Sequence, residues 1–228
     1  MISQKDVTMV IPDNIMGHWQ EIINLVTQIV RVPAALIMRF CGNDIEVLVA
    51  NRNKENPYHP GDREPFLGSG LYCERVFKTQ EKLLVPDALA DDEWKDNPDV
   101  KRNMISYLGF PLMLPNKTVF GTICVLDNKR NEYSEVIENL LKNFKMLIDA
   151  HLEVRYINAQ LGEKNKQLSD YLSELQTLRG IVSICSYCKC IRDNNNNWQP
   201  IEHYLIRHPE ADFSHGICPA CMAKLFPE

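Results

Sequence analysis

Residues 105–127 read ISYLGFPLMLPNKTVFGTICVLD, two apolar runs separated by PNKT at positions 115–118. Each run has the length and the branched and aromatic residues of a strand, and a proline followed by polar residues is typical of a tight turn. The stretch therefore predicts a β-hairpin. A second hairpin is predicted for ALIMRF and IEVLVA, at 35–40 and 45–50, because the CGND between them contains glycine and Asx residues.

The segments around the hairpins predict helices and a long loop. Residues 15–32 place Trp19 and later apolar residues at spacings of three and four, which predicts an amphipathic helix that Pro33 ends. Residues 51–70 are polar and rich in proline and glycine, which is typical of a long binding loop. The remaining predicted elements are a short helix at 69–79, a short strand within 82–89 and a helix from Ser134 onward. This order predicts an α+β fold, with helices on one side of an antiparallel sheet.

Composition limits the class of protein. A chain of 228 residues with 45% hydrophobic content can form one well-buried domain and a small additional module. The formal net charge of -5 disfavours nucleic-acid binding, which needs clustered Lys and Arg. The sequence has neither a secretory segment nor a run of roughly 20 apolar residues, so we expect a cytoplasmic protein without membrane contact.

Four blocks in the first part of the chain resemble the GAF domain of bacterial sensor proteins: GLYCERV, LLVPDALADDEWKDNP, MISYLGFPL and VFGTICVLD, in that order. The resemblance implies a six-stranded antiparallel sheet with a ligand pocket between the sheet and its covering loops. It also implies a sensory role, usually without catalysis in the domain itself. We assign residues 16–135 to this domain and residues 1–15 to an N-terminal segment.

The ligand is not identified by the resemblance. Bilin-binding relatives carry a cysteine followed by histidine, whereas Glu74 follows Cys73 here. The pattern of cyclic-nucleotide relatives is matched only in its opening, at Asn116, Lys117 and Phe120. Aromatic faces combined with a few polar groups are typical of small-molecule sites. On that basis the expected ligand-binding residues are Tyr72, Asp87, Trp94, Asn97, Tyr107 and Phe110.

An enzymatic alternative comes from the same resemblance, since some GAF proteins reduce free methionine sulfoxide with a nucleophilic and a resolving cysteine. Cys73 and Cys124 are the candidate pair, and a thiolate at a helix start has a lowered pKa. The glycine-cysteine-glycine context expected around such a cysteine is absent. We therefore favour buried structural roles for both cysteines and a non-catalytic protein.

Residues 136–179 predict a coiled coil. The apolar residues at 147, 154, 161, 168 and 175 recur every seven positions, and an interleaved series is formed by Phe144, His151, Asn158, Asn165 and Leu172, three of which are polar. Asn158 and Asn165 in this seam favour a parallel, in-register dimer. We expect a homodimer through residues 140–178. The alternative is a single helix that folds back onto its own domain.

Residues 180–228 predict a small zinc module of the treble-clef type. Two C-x-x-C pairs, Cys185 with Cys188 and Cys218 with Cys221, are separated by 29 residues. Four thiolates at this spacing suit tetrahedral structural zinc, and a segment this small depends on the metal to fold. Cys190 and His215 are alternative ligands, because each lies close to a nominated cysteine in the sequence.

Iron is the competing metal. An iron site would give the protein an alternative function, that of a redox or iron sensor. Pro219 matches the second half of a rubredoxin-type site, but Lys189 and Met222 stand where such sites normally have glycine. The segment also resembles a cysteine-rich tail that follows sensory domains in bacterial signalling proteins. Its basic and acidic residues nearly balance, which favours a protein partner over nucleic acid. No kinase, cyclase or phosphodiesterase sequence follows the coil, so we expect a stand-alone sensory adaptor.

Overall fold

A computed structural model describes residues 9–193, 196–206 and 212–225, and within them all side chains except those of residues 173–182, 205 and 212–215. The chain divides into two compact units, Met1–Ala159 and Gln160–Glu228. The division falls inside one long helix. The sequence predicts boundaries at the two ends of that helix instead, and those boundaries stay a prediction.

The first unit is built on a six-stranded antiparallel sheet of order β3-β2-β1-β6-β5-β4. The strands are β1 (Ala34–Cys41), β2 (Asp44–Ala50), β3 (Arg63–Pro65), β4 (Leu83–Val85), β5 (Ser106–Met113) and β6 (Val119–Asp127). Both predicted hairpins form, and β1 pairs with β6 to join them. The antiparallel α+β class predicted from the sequence is therefore confirmed.

Three helices belong to this architecture: α1 (Asp13–Val30), α2 (Tyr72–Thr79) and α3 (Glu135–Gly180). Helix α1 ends at Arg31, which adopts a left-handed conformation with φ of 60° two residues before Pro33. Its Trp19, Ile23 and Val26 are fully buried. The predicted helix at 15–32 thus forms with its ends shifted by two residues.

The predicted loop at 51–70 contains one element that the sequence did not reveal. Strand β3 lies within it and pairs with β2 from Asp44 to Glu46. Only Glu64 among its three residues is half-buried, so the strand has no apolar alternation to detect. The sixth strand expected from the GAF resemblance is therefore this short polar segment.

Alternate residues of each strand face two separate apolar layers. Ala35 and Ile37 of β1 face the layer that contains α1 and the start of α3. Leu36, Met38 and Phe40 face the opposite layer, which contains α2 and the irregular segments. The two-residue period of a strand explains this division. A candidate site between the sheet and the irregular segments must use residues of the second layer.

Two strand glycines are explained by close approaches. A Cβ at Gly121 would collide with the backbone carbonyl oxygen of Met38 on β1. A Cβ at Gly109 would collide with the phenol of Tyr107. Gly109 therefore leaves the space in which the Tyr107 ring lies over the sheet.

Helix α3 has two different parts. Leu141, Ile148 and Leu152 are buried in the layer with α1. Further along, apolar side chains of the predicted seam are about half-exposed or more: Val154, Leu161, Leu168 and Leu172. Leu175 lies in the helix, but its side chain is outside the described set. Among the described helices, none combines the length and the apolar composition that a bilayer span needs.

The second unit contains a small four-stranded sheet of order β10-β7-β8-β9. Its elements are β7 (Ile181–Cys185), β8 (Ile191–Arg192), β9 (Trp198–Gln199), α4 (Ile201–Leu205), β10 (Asp212–Gly216) and α5 (Pro219–Leu225). Strands β10 and β7 are parallel, and the other two pairs are antiparallel. One apolar cluster in the described part of this unit consists of buried Ile184 and Ile191 with half-buried Ile201 and Tyr204.

Candidate ligand cavity and metal centre

The first unit encloses a cavity between the second face of the sheet and the segments that cover it. Much of its wall is aliphatic, from Leu36, Met38, Ile45, Val47, Leu71 and Leu126. The cavity offers about 30 Å³ to the centres of water molecules. This is far below the roughly 300 to 1,000 Å³ of pockets that hold drug-sized ligands.

The cavity wall carries a buried carboxylate, that of Asp99. The hydroxyl of Tyr58 donates a hydrogen bond of 2.7 Å to Asp99 Oδ1. Arg102 lies 3.8 Å from the same oxygen, pairs with Glu64 and covers the Tyr58 ring with its guanidinium 5.1 Å from the ring centroid. Burial raises the pKa of Asp99 to about 6, although the Tyr58 hydroxyl and Arg102 oppose the shift. The wall thus includes a carboxyl group whose pKa lies closer to neutral pH than its usual value.

The cavity wall also carries two thiols, those of Cys73 and Cys124. Cys73, the second residue of α2, places Sγ 3.4 Å from Thr122 Oγ1 and 3.6 Å from the Tyr107 hydroxyl. A hydrogen bond with Cys124 is the main cause of a lowered pKa at Cys73, where burial acts in the opposite direction. The same hydrogen bond, together with burial, raises the pKa of Cys124 well above its usual range. The structure therefore brings the two nominated cysteines together.

Of the six expected ligand-binding residues, Tyr107 lines this cavity. Tyr72 stacks on Tyr107 with ring centroids 4.8 Å apart, and Trp94 packs 5.2 Å behind Tyr72. These two rings support the wall from outside.

Asp87 and Asn97 have local structural contacts. Asp87 accepts a hydrogen bond from the backbone N–H of Leu89 at 3.1 Å. Asn97 accepts one from the N–H of Asp99 at 2.9 Å and donates one to the Gly70 carbonyl at 2.7 Å. Both residues therefore hold the covering segments in place.

Phe110 lies in the layer on the opposite face of the sheet, among the residues packed against α1 and α3. The expected contribution of Phe110 to this cavity is therefore corrected, because a residue three positions from Tyr107 on a strand points the other way. Tyr58, Asp99 and Arg102 were missed. Tyr58 was detectable as an aromatic residue inside a polar loop, whereas nothing in the sequence marks Asp99.

The second unit brings the four nominated metal ligands together. The Sγ atoms of Cys185, Cys188, Cys218 and Cys221 all lie within 4.8 Å of one another. Those of Cys188 and Cys218 are 3.6 Å apart. Four sulfurs around zinc, with bonds of about 2.3 Å at tetrahedral angles, lie about 3.8 Å apart. The donor set therefore fits a tetrahedral thiolate site.

Local backbone structure positions each pair of cysteines. Lys189 donates to the Cys185 carbonyl at 2.9 Å and has a φ of 63°, so the chain turns tightly after Cys188. Cys218 directly precedes α5, and Cys221 lies in its first turn with its N–H 3.1 Å from the Cys218 carbonyl. The first pair thus lies on a turn and the second at a helix start.

Backbone amides prepare Cys185 to be a thiolate. The N–H of Cys218 donates to Cys185 Sγ at 3.1 Å. Burial alone would raise the pKa of the Cys185 thiol, but backbone donors from Cys188, Cys218 and Tyr187 lower it to about 6. Because metal ligands must be deprotonated, these donors favour coordination.

The two alternative ligands differ in what the structure describes. Cys190 lies outside the converging group of four, and its thiol hydrogen-bonds that of Cys188. The His215 backbone pairs with Ile184 across β10 and β7. The His215 side chain is outside the described set, so its role as a ligand stays a prediction.

An antiparallel sheet with helices on one face and irregular segments over a small cavity on the other places the first unit among α+β domains. The GAF domain family matches residues 20–153, which is more than half of the 228 residues. The chain belongs to the GAF domain family, and membership indicates a sensory or signalling role. The match extends into the part of α3 that is buried in the first layer.

Similarity to individual proteins is more limited. Diguanylate cyclase DgcP of Escherichia coli (strain K12) is 28% identical over 138 residues, which cover 57% of this chain and 39% of that protein. Among solved structures, the GAF domain of Acinetobacter phosphoenolpyruvate-protein phosphotransferase has a TM-score of 0.51 at 16% identity and covers 70% of this chain and 91% of its own. Free methionine-R-sulfoxide reductase from Neisseria meningitidis has a TM-score of 0.52 at 12% identity, with coverage of 63% and 80%. At these identities the structures share the fold alone.

Proposed function

We propose that this protein is a non-catalytic cytoplasmic signalling adaptor. Its GAF domain binds a small ligand, its long helix forms a parallel homodimer, and its terminal unit binds zinc and presents a surface to a protein partner. The observation that carries the sensory part is the cavity, whose wall includes the buried Asp99 and the buried thiols of Cys73 and Cys124.

Native mass spectrometry of the full chain tests ligand binding. Leu36→Phe fills the cavity, since Leu36 lines it and is 2% exposed. Leu48→Phe is the matched control, because Leu48 packs against the other layer of the sheet. We expect a mass retained by the wild type and by Leu48→Phe to be absent from Leu36→Phe. A retained mass that is equal in all three proteins, or none in any, contradicts ligand binding in this cavity.

The exposed seam of α3 supports the homodimer. Val154, Leu161 and Leu168 are each more than half exposed, and the heptad spacing allows a second copy to cover them. Leu161→Lys with Leu168→Lys should convert a dimer to a monomer in sedimentation velocity of the full chain. Asp170→Lys adds the same charge at an exposed position outside the seam and should leave the dimer intact. A monomeric wild type at micromolar concentration contradicts the proposal.

Zinc is the proposed metal of the terminal unit, with iron as the alternative. The α-helical conformation of Cys221 and Met222 supports zinc in a treble-clef-like site, because rubredoxin-type sites hold both cysteine pairs on turns. The left-handed Lys189 shows that the first pair can form its turn without glycine. Metal analysis of anaerobically purified protein should find one zinc per chain and no colour. A coloured protein with iron would support the alternative redox or iron sensor.

A protein partner is proposed for the terminal unit. Ile217, Met222 and Leu225 are each more than a third exposed around the candidate metal centre. An exposed apolar surface on a nearly neutral module favours protein contacts over nucleic acid.

The position of Cys73 and Cys124 in the wall of one cavity favours a second candidate, a thiol-dependent methionine sulfoxide reductase. Both cysteines are buried, with 9% and 0% exposure, so we rank this function below sensing. Turnover of free methionine sulfoxide that disappears in Cys73→Ser would reverse the ranking.

A further inference from the structure

Three soft donor groups line the cavity, those of Cys73, Cys124 and Met38. Met38 on β1 is the direct cross-strand partner of Thr122 on β6, and Thr122 Oγ1 lies 3.4 Å from Cys73 Sγ. Cys124 is two residues beyond Thr122 on the same face of that strand. Two thiols and one thioether are therefore grouped around a single threonine side chain.

The size of the cavity favours an ion over an organic molecule. The cavity offers about 30 Å³ to water centres, far below the roughly 300 to 1,000 Å³ of pockets that hold drug-sized ligands. The thiol Sγ atoms are also sealed from solvent, since Cys73 is 9% and Cys124 0% exposed. A bare ion that bonds directly to sulfur needs no additional volume.

The donor types select the kind of ion. Thiolate and thioether ligands favour soft monovalent copper, whereas magnesium and calcium prefer oxygen ligands. Zinc generally takes four ligands, whereas the wall offers three sulfurs and no histidine, and two of its three carboxylates, Glu64 and Asp99, already pair with Arg102 and Tyr58. A monovalent ion also carries less charge into the apolar cavity than a divalent ion, which lowers the cost of burial.

We infer that the GAF cavity binds one monovalent copper ion through the Sγ atoms of Cys73 and Cys124, with the Sδ atom of Met38 as a third ligand. Each thiol that coordinates the ion releases its proton to solvent, and no change of oxidation state is involved. The inference rests on the proposed function in one respect, that this cavity is the site at which the protein senses its ligand.

Anaerobic titration of the full chain with copper(I), buffered by bicinchoninate, tests the inference by counting ions. The terminal cysteines bind copper as well, but they contribute equally to every variant in which they are unchanged. Cys73→Ser with Cys124→Ser should bind one ion fewer per chain than the wild type. Cys41→Ser, which changes a half-buried cysteine outside the cavity, should bind the wild-type number.

Met38→Leu tests the third ligand, because leucine preserves most of the volume and removes the sulfur. This variant should keep the wild-type number of ions and lose about tenfold or more in affinity for one of them. Unchanged affinity would remove Met38 from the ligand set.

A second measurement, on the wild type, tests the copper site independently of whether the double variant folds. Saturating copper(I) should raise the urea midpoint of the first unit, because an ion bound only by the folded state stabilises it. Equal ion counts in the wild type and the double variant, or an unchanged urea midpoint, overturn the copper site. If Leu36→Phe still abolishes binding of an organic mass in that case, the sensory function stands and only the copper assignment fails.

Discussion

The two cysteine clusters of this protein lie in opposite physical settings. Cys73 and Cys124 belong to a large layer of buried aliphatic and aromatic side chains on one face of the GAF sheet. Three of the four nominated terminal cysteines, Cys185, Cys218 and Cys221, cluster with Trp198, and a small core centred on Ile184 and Ile191 belongs to the same unit. We therefore expect apolar burial to fold the first cluster without any ion and the second to depend on coordination for its structure. A cysteine pattern alone does not distinguish these settings, but the surrounding core does.

Metal removal should have the largest effect on folding. The effect should be confined to the unit that contains the terminal cysteine cluster. Structural zinc contributes on the order of 10 kcal/mol to the folding of small modules, and little else stabilises residues 181–225. Chelation should therefore unfold this segment. Hydrogen exchange should show lost protection at the amides of Cys185 and Lys189, which donate at 2.8 and 2.9 Å in the structure.

The GAF sheet provides the internal control for that experiment. The amides of Ile37 and Ile123, at the centre of the β1–β6 pair, should keep their protection after chelation. If these amides also lose protection, the first unit depends on the metal and the contrast between the two clusters fails.

A substitution that destabilises the GAF sheet should affect only the first unit. Gly121→Ala introduces a Cβ that collides with the Met38 carbonyl on the neighbouring strand, at a backbone position that cannot move freely. We expect a loss of about 3 kcal/mol in the free energy of unfolding of this unit. Urea denaturation should detect it, while the zinc content stays at the wild-type value.

Gly17→Ala is the matched control for this substitution. Gly17 lies inside α1 with open space around its hypothetical Cβ. Because alanine is the better helix former, stability should rise by up to about 1 kcal/mol. An equal loss in both variants would contradict the close approach at Gly121.

The buried Asp99 predicts a smaller effect that depends on pH. Its folded-state pKa of about 6 lies above the usual value of about 3.9, so the folded protein binds the proton more tightly between these pH values. The contribution of this group to stability is therefore complete below pH 4 and is lost as pH rises through 6. Asp99→Asn should unfold with a flatter pH profile and be about 2 kcal/mol more stable than the wild type at pH 7.

Asp96→Asn, at an exposed position nearby, should leave the wild-type pH profile unchanged. Urea midpoints between pH 4 and pH 7 measure both variants. Parallel profiles for Asp99→Asn and the wild type would mean that Asp99 titrates normally in the folded protein.

Local signals explain why much of the fold could be predicted. The hairpins were readable because turn residues separate apolar runs, and α1 because its apolar residues recur at helical spacing. Strand β3 could not be predicted, because its residues, two charged and one proline, form a strand only by pairing with β2. Pairing with a distant segment is a tertiary effect that no local pattern records.

The two candidate sites also differ in how far local sequence patterns could predict them. All four nominated metal ligands converge in the structure. They could be predicted because the two cysteines of each pair lie three residues apart, a spacing that is typical of thiolate metal sites. The cavity was harder to derive, since the Tyr58–Asp99 contact joins residues 41 positions apart. Phe110 could have been excluded from sequence alone, because the period of a strand separates it from Tyr107.

Cys190 gives the smallest predicted effect and the sharpest test of the ligand set. Cys190 lies outside the converging four, so we expect it to support a ligand rather than to be one. Cys190→Ser should therefore bind one zinc per chain with about tenfold weaker affinity, equivalent to about 1.4 kcal/mol. Cys188→Ser should lose far more, because three thiolates cannot complete the tetrahedral site. If competition with a chelator ranks the two variants in the opposite order, Cys190 replaces Cys188 as the fourth ligand.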